Sequence, residues 1–372
     1  METVFPMGID LGSTTVKVVV CHPEGQLLFS AYERHNTDPS GTLLSILHLC
    51  AEKLGDMALD VAITGSAGMN MASQFSLPFV QEVVAAARYI RRRMPKVRTM
   101  IELGGEDSKM IFFDDNLNPD MNMNGACAGG TGAFIDQIAS LLGVGLDSLN
   151  TLSSKGKAIY IIASRCGVFA KTDIQSLLAQ RAKPEDIVAS VFKSIALHVL
   201  SSLSRGRAIR GQVLFAGGPF SFFPGLRQSF VSYLGLDQNH DIAAYDHPRL
   251  LPALGTALFH ESNEKNSVSL GKLISRLSKK SGHIHIIRTD LPPLFESKKE
   301  RFLWEERHRQ YALPSVSVQK AEGPLFLGVD SGSTTTKLVL IDKNHKMVLS
   351  HYETNKGDVL GITHRAMTSF KK

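Results

Sequence analysis

Four short segments carry residue types that can do chemistry. The first, Asp10-Leu11-Gly12-Ser13-Thr14-Thr15-Val16-Lys17, ends an apolar run on a carboxylate, makes a tight Gly/Ser/Thr turn and returns with a lysine. The turn offers N–H and hydroxyl donors to phosphate oxygens. Asp10 can hold a hydrated Mg²⁺, an ion that takes a carboxylate or two and leaves the rest of its shell to water and phosphate. A β-hairpin with a polar tip is the alternative, and it fits the segment alone equally well. The second, Glu102-Leu103-Gly104-Gly105-Glu106-Asp107-Ser108-Lys109, follows a similar plan. Gly104 and Gly105 have no Cβ to keep backbone amides from a γ-phosphate, and Glu106 or Asp107 can orient water or Mg²⁺. Here too a plain hairpin turn competes. The third, Leu214-Phe215-Ala216-Gly217-Gly218-Pro219, runs a strand into a Gly-Gly pair on which a flat ring can lie, as adenosine would.

The fourth segment is of another kind. Residues 124–134 read NGACAGGTGAF and lead into a helix predicted over 131–142; Arg165-Cys166-Gly167-Val168-Phe169-Ala170 precedes another helix. Cys127 and Cys166 each stand just ahead of a helix N-terminus, where the dipole favours the thiolate, the form that ligates metal. Two thiolates are half of what a [4Fe-4S] cluster takes, and a second copy of the module related by a two-fold axis is the simplest completion. Cys21, on a strand, and Cys50, on the apolar face of a helix, read as core residues, and Cys166 taken alone fits a core position equally well. The one close histidine pair, His283 and His285 in the linker, reads as an exposed strand rather than a metal site.

These segments need a scaffold that gathers four loops. Apolar, β-branched runs around 12–15 predict a hairpin. Beyond it the pattern predicts helices over 42–54, 82–93, 131–142, 173–180 and 184–205. Strands are predicted over 61–64, 99–103, 109–113 and 213–215, the last stopping at Gly217-Gly218. Alternation of this kind is α/β. Residues 8–20, GIDLGSTTVKVVV, come back at 328–340 as GVDSGSTTTKLVL, and each copy is followed by a Tyr-Glu pair, Tyr32-Glu33 and Tyr352-Glu353. The chain therefore begins a module, finishes it and begins another of the same kind. We expect a first module at 1–264 and a basic linker at 265–322 that contains Pro292-Pro293 and Trp304. At 323–372 we expect an incomplete second module of a longer protein, too small to fold alone or to form a second nucleotide site.

Composition narrows the class. The 372 residues are 43% hydrophobic and 20% charged, enough for two domains with cores. No continuous apolar run is long enough to span a bilayer, and residues 1–7 lead straight into a strand without a basic head. A cytoplasmic protein off the membrane is the expectation. Four scattered cysteines do not make a disulfide framework. The net charge is +6, but eleven Lys/Arg against six Asp/Glu fall within 266–322. A basic linker accounts for that excess better than a nucleic-acid surface. The run Arg88, Arg91, Arg92, Arg93 reads as a solvated helix end, with a docking surface for an acidic partner as the alternative.

The order of the loops adds a resemblance. Phosphate loop, second phosphate loop and Gly-Gly adenosine loop are similar to the pattern of the actin, Hsp70 and sugar-kinase superfamily. This implies a two-lobed α/β ATPase fold with ATP and Mg²⁺ in the cleft. It implies nucleotide contacts from Gly12, Ser13, Thr14, Thr15, Lys17, Gly104, Gly105, Gly130, Thr131, Gly217 and Gly218, and catalytic roles for Asp10, Glu106 and Asp107. The cysteine segments resemble the ATPase activators of 2-hydroxyacyl-CoA dehydratases and the ATPase subunits of benzoyl-CoA reductases. On that resemblance Cys127 and Cys166 ligate a [4Fe-4S] cluster shared between two modules, in a homodimer or a pseudo-dimer with a second module. ATP hydrolysis then drives a low-potential electron, taken from ferredoxin or flavodoxin, to an iron–sulfur acyl-CoA dehydratase or reductase. Arg34-His35 after Tyr32 also matches a family segment, with no role assigned. The tandem repeat resembles the large, multi-module activases. Three other classes compete: a small-molecule kinase on the same fold, which has no use for Cys127; a module whose thiolates hold structural Zn²⁺; and a nucleotide-dependent scaffold of the Hsp70 type.

Overall fold

The computed structural model describes residues 3–124, 129–164, 166–259, 267–280, 293–332, 334–355 and 358–370. The chain divides into two compact units, Met1–Ala170 with Pro184–His283 and Lys171–Lys183 with Ile284–Lys372.

The first unit opens with an antiparallel meander, β1 (Phe5–Leu11), β2 (Thr15–Cys21) and β3 (Leu27–Arg34). Strands β1 and β2 are apolar on successive residues because both faces of the sheet are covered. Helix α1 (Pro39–Leu54) starts with Pro39 in its first turn and the Asp38 carboxylate accepting from the Gly41 N–H. Strand β4 (Ala58–Thr64) then joins β1 in parallel. Helices α2 (Gly68–Phe75) and α3 (Glu82–Arg93) lead to a second sheet, β5 (Val97–Leu103), β6 (Ser108–Phe113) and β7 (Pro119–Asn124). After α4 (Gly132–Leu142), α5 (Ser148–Lys155), α6 (Gly167–Ala179) and α7 (Pro184–Leu203), strand β8 (Gln212–Ala216) pairs in parallel with β5, giving the order β7-β6-β5-β8. Helix α6 spans the division between the units at residue 170. Helices α8 (Gly218–Phe222), α9 (Pro224–Leu234) and α10 (Leu251–Ala257) follow. Strand β9 (Val268–Ser269) returns to the first sheet, whose order is β3-β2-β1-β4-β9, and α11 (Leu270–Lys280) packs behind it.

Residues 267–280, assigned to the linker on sequence alone, thus serve the first lobe. Leu270, Leu273 and Leu277 of α11 enter the same core as Leu43, Ile46 and Leu47 of α1 and Met7, Ile9 and Leu11 of β1. Their spacing makes one apolar stripe along a helix that is otherwise polar and basic. Helix α7 is long and apolar enough to cross a membrane, but 61% of that window is buried inside the fold, where it serves as a core helix.

The two sheets meet around α10. On one side α10 lies against β1 at Gly8, where a Cβ would collide with the Ala253 carbonyl oxygen. On the other it meets α3 at Gly255, where a Cβ would collide with the Ala85 carbonyl oxygen. Helix α3 in turn presents Ala86, Ala87 and Ile90 to Met100, Ile111 and Leu214 of the second sheet. Small residues at these crossings let three backbones approach closely.

The second unit contains α12 (Lys298–Arg309), whose N-cap Ser297 hydroxyl accepts from the Glu300 N–H, then β10 (Phe326–Ser331), β11 (Thr335–Ile341), β12 (Met347–Thr354) and α13 (Val359–Phe370). The last four elements repeat β1-β2-β3-α1. Asp330 faces Lys337 across the ladder as Asp10 faces Lys17, and the register slips at Leu340/Ile341 as it does at Val20/Cys21. The environments differ: β1 is buried from Pro6 onward, whereas every residue of β10 is exposed.

The internal repeat supplies its own control. Gly8→Val should lower the melting temperature by several degrees, since overpacking of this kind costs roughly 1–3 kcal/mol. Gly328→Val should leave it unchanged, because the nearest atom to its Cβ is the Val339 carbonyl oxygen at 3.8 Å. Equal melting of the Gly8 variant and the parent would show that α10 does not lie on β1.

Candidate functional site

The first phosphate loop is closed by the Gly12 N–H donating to the Thr15 carbonyl at 3.0 Å. Two strands away, the residue that follows β3 closes it again. His35 Nε2–H donates to the Gly12 carbonyl at 3.3 Å, while its Nδ1 accepts from the Thr37 N–H at 3.2 Å, so the proton sits on Nε2. Asp10 is only 1% exposed, and its Oδ2 pairs with Lys17 Nζ at 2.9 Å. Among the described residues Oδ1 has no hydrogen-bond partner. Burial pulls the Lys17 ammonium down, but the pairing with Asp10 outweighs it and holds Lys17 above its ordinary range.

The second phosphate loop is built on the same plan. Glu102 and Lys109 are cross-strand partners on β5 and β6, seven positions apart like Asp10 and Lys17, and the Gly104 N–H closes the turn on the Asp107 carbonyl at 2.9 Å. Lys109 is 4% exposed and sits 2.5 Å from Glu82, 2.9 Å from Asp107 and 3.8 Å from Glu102. Glu82 opens α3, where the helix N-terminus favours a carboxylate. Burial pushes Glu102 up to about 7 against the pull of Lys109, with Glu82, Asp107 and Asp10 adding to the rise. Burial likewise raises Glu82, again against Lys109. Lys109 is pulled down by burial but held well above its ordinary range by its three carboxylates.

The two loops face each other. A Cβ on Gly105 would strike the Thr14 hydroxyl, so the loops touch at glycine. Four carboxylates, Asp10, Glu82, Glu102 and Asp107, therefore share one cleft with two ammoniums. That negative excess, together with the unpartnered Asp10 Oδ1, suits a divalent cation. No group of three or more His, Cys, Asp or Glu among the described residues forms a ready metal cage. Mg²⁺ does not require one, since it keeps several waters and takes phosphate oxygens.

The third loop lies beside them. Gly217 has φ +95°, and a Cβ there would collide with the Leu103 carbonyl; a Cβ on Gly218 would come within 2.5 Å of the Tyr32 hydroxyl. Next to it is a cavity of about 300 Å³, bounded by Arg34, Asp136, Asn150, Gly218, Pro219 and Phe222. Its size and its glycine wall fit an adenosine. Arg34 on β3 and Asp136 on α4 close the cleft with a bidentate pair at 2.7 and 3.1 Å.

The cysteine segments adjoin the second phosphate loop. The Gly132 N–H donates to the Gly104 carbonyl at 2.9 Å and the Ala133 N–H to the Gly105 carbonyl at 2.8 Å, which ties the start of α4 to that loop. Thr131 caps α4, accepting from the Phe134 N–H at 3.4 Å. Gly130 has φ +149°, and a Cβ there would lie 2.9 Å from Val199. Cys166, half-buried and without a disulfide, precedes α6, and a Cβ on Gly167 would come within 3.2 Å of the Gly129 backbone. Cys127 lies outside the described residues. Cys21 and Cys50 are buried in separate cores, which pushes both thiols up to about 11.

Of the expected acids, Asp10 and Asp107 face the cleft and Glu106 is exposed. Glu82, Glu102 and Lys109 were not assigned roles from the sequence. A signal for two of them was present: an acid inside an otherwise apolar strand, followed seven residues later by a lysine, at both phosphate loops. Glu82 left no such trace.

Fold and cleft together define an α/β ATPase built on two sheets. Residues 7–259 match the BadF/BadG/BcrA/BcrD ATPase family, and the chain belongs to it. It is 32% identical over 269 residues to the 2-hydroxyisocaproyl-CoA dehydratase activator of Clostridioides difficile, covering 71% of this chain and 97% of that protein. Among solved structures, component A of (R)-2-hydroxyglutaryl-CoA dehydratase from Acidaminococcus fermentans superposes with a TM-score of 0.60 at 26% identity, over 69% of this chain and 97% of that one. The Clostridium difficile activator with bound ADPNP gives 0.58 at 28% identity, over 69% and 94%.

Glu102 makes the cleft pH-sensitive. Its ordinary value is 4.5 and its folded value about 7, so between those pH values the native protein holds a proton that the unfolded chain has lost. The stability it contributes is complete below the lower value and is lost as pH rises through the upper one. Glu102→Gln should therefore gain stability relative to the parent across that window, by up to about 3 kcal/mol, and then level off. Denaturant titrations at several pH values test this; a pH-independent difference would remove the buried carboxylate from the account.

Proposed function

We propose that this chain is an ATP-dependent electron-transfer activase for an iron–sulfur acyl-CoA dehydratase or related reductase. The observation that carries this reading is a continuous contact path inside the first unit. The backbone of Gly104 and Gly105, at the phosphate end of the cleft, holds Gly132 and Ala133; these begin the helix behind Gly129 and Thr131; and Gly129 abuts Gly167, next to Cys166. Gly129 is two residues along the chain from Cys127. A kinase has no need of such a path between its phosphate loop and a pair of cysteines.

Within this reading Asp10 would hold Mg²⁺, and Lys17 keeps the Asp10 carboxylate in place. The backbone amides of Gly12, Gly104 and Gly105, with the hydroxyls of Ser13, Thr14 and Thr15, bind the phosphates of ATP. Glu102, titrating near neutrality, accepts a proton from attacking water, and Lys109 holds Glu82, Glu102 and Asp107 around that position. Glu106 and Asp107 at the loop orient water. Gly217 and Gly218 support the adenosine, with Gly130 and Thr131 behind the phosphate loop. Cys127 and Cys166, with the same pair from a second module in a homodimer or pseudo-dimer, hold a [4Fe-4S] cluster, which supplies a one-electron store of low potential. The half-exposed thiol of Cys166, the small residues around it and the start of α6 fit a thiolate ligand. Closure of the lobes on ATP moves Gly104 and Gly105, and the path above transmits that movement to the cysteine segments. A ferredoxin or flavodoxin is the donor. Residues 1–280 are the activase module, the segment from there to 322 a linker, and 323–372 a repeat of the module's first elements.

Two sets of variants test this. Cys127→Ser or Cys166→Ser should each abolish iron binding and the brown colour of anaerobic protein, whereas Cys21→Ser and Cys50→Ser should retain both. Full iron content in the Cys166 variant would sink the assignment, and zinc in place of iron would favour a structural metal. Separately, Asp10→Ala should lose most Mg²⁺-dependent ATP hydrolysis while keeping its iron, since the charge stabilisation from a bound cation contributes several kcal/mol. Hydrolysis at the parent's rate would refute the role given to Asp10.

A further inference from the structure

The arginine run at the end of α3 does not behave as one solvated helix end. Arg88 stacks on Phe259 at 4.1 Å, and Arg91 donates to the Leu117 carbonyl at 2.6 Å and to Asn118 at 2.7 Å. Arg92 and Arg93 turn elsewhere. With His22 at the end of β2 and His247 ahead of α10, they border a cavity of about 490 Å³ on the first unit. Its floor is apolar, made by Leu27, Leu254, Ala257 and Leu258, and Tyr89 contributes an aromatic wall. None of these residues takes part in the nucleotide cleft.

Among the described residues neither Arg92 nor Arg93 has a carboxylate partner; the nearby acid, Glu24, is at the rim, 87% exposed and 3.7 Å from His22. Arg93 is held in place. It donates to the Glu24 carbonyl at 3.4 Å, and its guanidinium lies where a Cβ on Gly25 would fall. Gly25 also has φ +96°, so this turn accepts glycine for two reasons. The bland explanation, cations favoured by the last turn of a helix, covers Arg92 and Arg93 but not the two histidines from other elements or the apolar floor.

We propose that this cavity is a second ligand site, separate from the ATP cleft, which binds a small phosphorylated molecule of nucleotide size. Paired guanidiniums offer forked donors that match phosphate oxygens, the histidines extend the donor set, and the apolar floor with Tyr89 takes an uncharged portion such as a base. Its walls are α3 and α10, the elements that join the two sheets, so its occupant is placed to bias lobe movement.

The test is isothermal titration of the intact, iron-loaded chain with its ATP cleft first saturated by ADPNP. Adenosine 3′,5′-bisphosphate and inorganic pyrophosphate are the two probes. The expected result is binding of the bisphosphate that weakens with added salt, and that weakens at least about tenfold in an Arg92→Ala/Arg93→Ala variant whose basal ATP hydrolysis is unchanged. Binding of pyrophosphate as well shows that the site reads phosphate alone; binding of the bisphosphate only shows that it also reads the nucleoside. A parent protein that binds neither probe, or a double variant that binds with the parent's affinity, overturns the proposal. An Asp10→Ala variant separates this result from the fate of the ATP site, because it should keep bisphosphate binding even if hydrolysis fails.

Discussion

The arrangement on which the rest depends is the burial of opposite charges at two glycine turns that face each other. Asp10 with Lys17, and Glu102 with Lys109, are ion pairs taken out of water inside sheets. Burying ions is expensive, and an arrangement in which carboxylates outnumber ammoniums is poorly compensated by itself. Such a site persists when the surrounding fold is rigid enough to impose it. Here that rigidity comes from α1, α11 and α10 around the first sheet and from α3 and α10 beside the second. Under the proposed function that imbalance attracts the divalent cation that accompanies ATP, and it leaves Glu102 titrating near neutrality.

The same geometry makes the cleft mechanically legible to its surroundings. Peptide groups, rather than side chains, carry the link from phosphate loop to cysteine segment: Gly104 and Gly105 accept from Gly132 and Ala133, and Gly129 touches Gly167. Backbone hydrogen bonds and glycine contacts leave little slack, because there are no rotamers in which a displacement can be absorbed. In the proposed mechanism a shift at the phosphate loop has only a few residues to cross before it meets the cysteine segment. This is a physical connection between two positions, and it needs no long-range network.

Much of this was readable in the sequence, and the reasons differ by residue. The strands around Gly12, Gly104 and Gly217 were legible because apolar runs broken by glycine have few other solutions. Helix 82–93 was predicted at its observed bounds, its acid-to-basic polarity marking both ends. Short elements were not: α2, α5 and β7 have too few residues for a period to show. Residues 267–280 read as linker because they fall inside a longer stretch with a basic excess, while the apolar stripe that docks them is short. In the site, Glu82 was invisible because its role arises from Lys109 on another element, 2.5 Å away in space and 27 positions along the chain. His35 was noted without a role for the same reason: its job is to close a loop two strands away.

The internal repeat shows why motif and site are different things. Residues 328–340 reproduce the phosphate-loop sequence, its register, its bulge and even the closing bond, with Asn355 Nδ2 donating to the Gly332 carbonyl at 2.7 Å where His35 donates to Gly12. Lys337 again meets the aspartate, at 2.7 Å, yet Asp330 is 64% exposed where Asp10 is buried. In water that second pair is an ordinary surface contact of little consequence. What converts the first copy into a charged pocket is supplied by other segments: β4 along the open edge of β1, α10 against Gly8, and the second phosphate loop at Thr14. A hairpin of this sequence thus specifies its own local geometry. Desolvation, and with it the electrostatic strength that phosphate and cation binding require, comes from the elements packed around it.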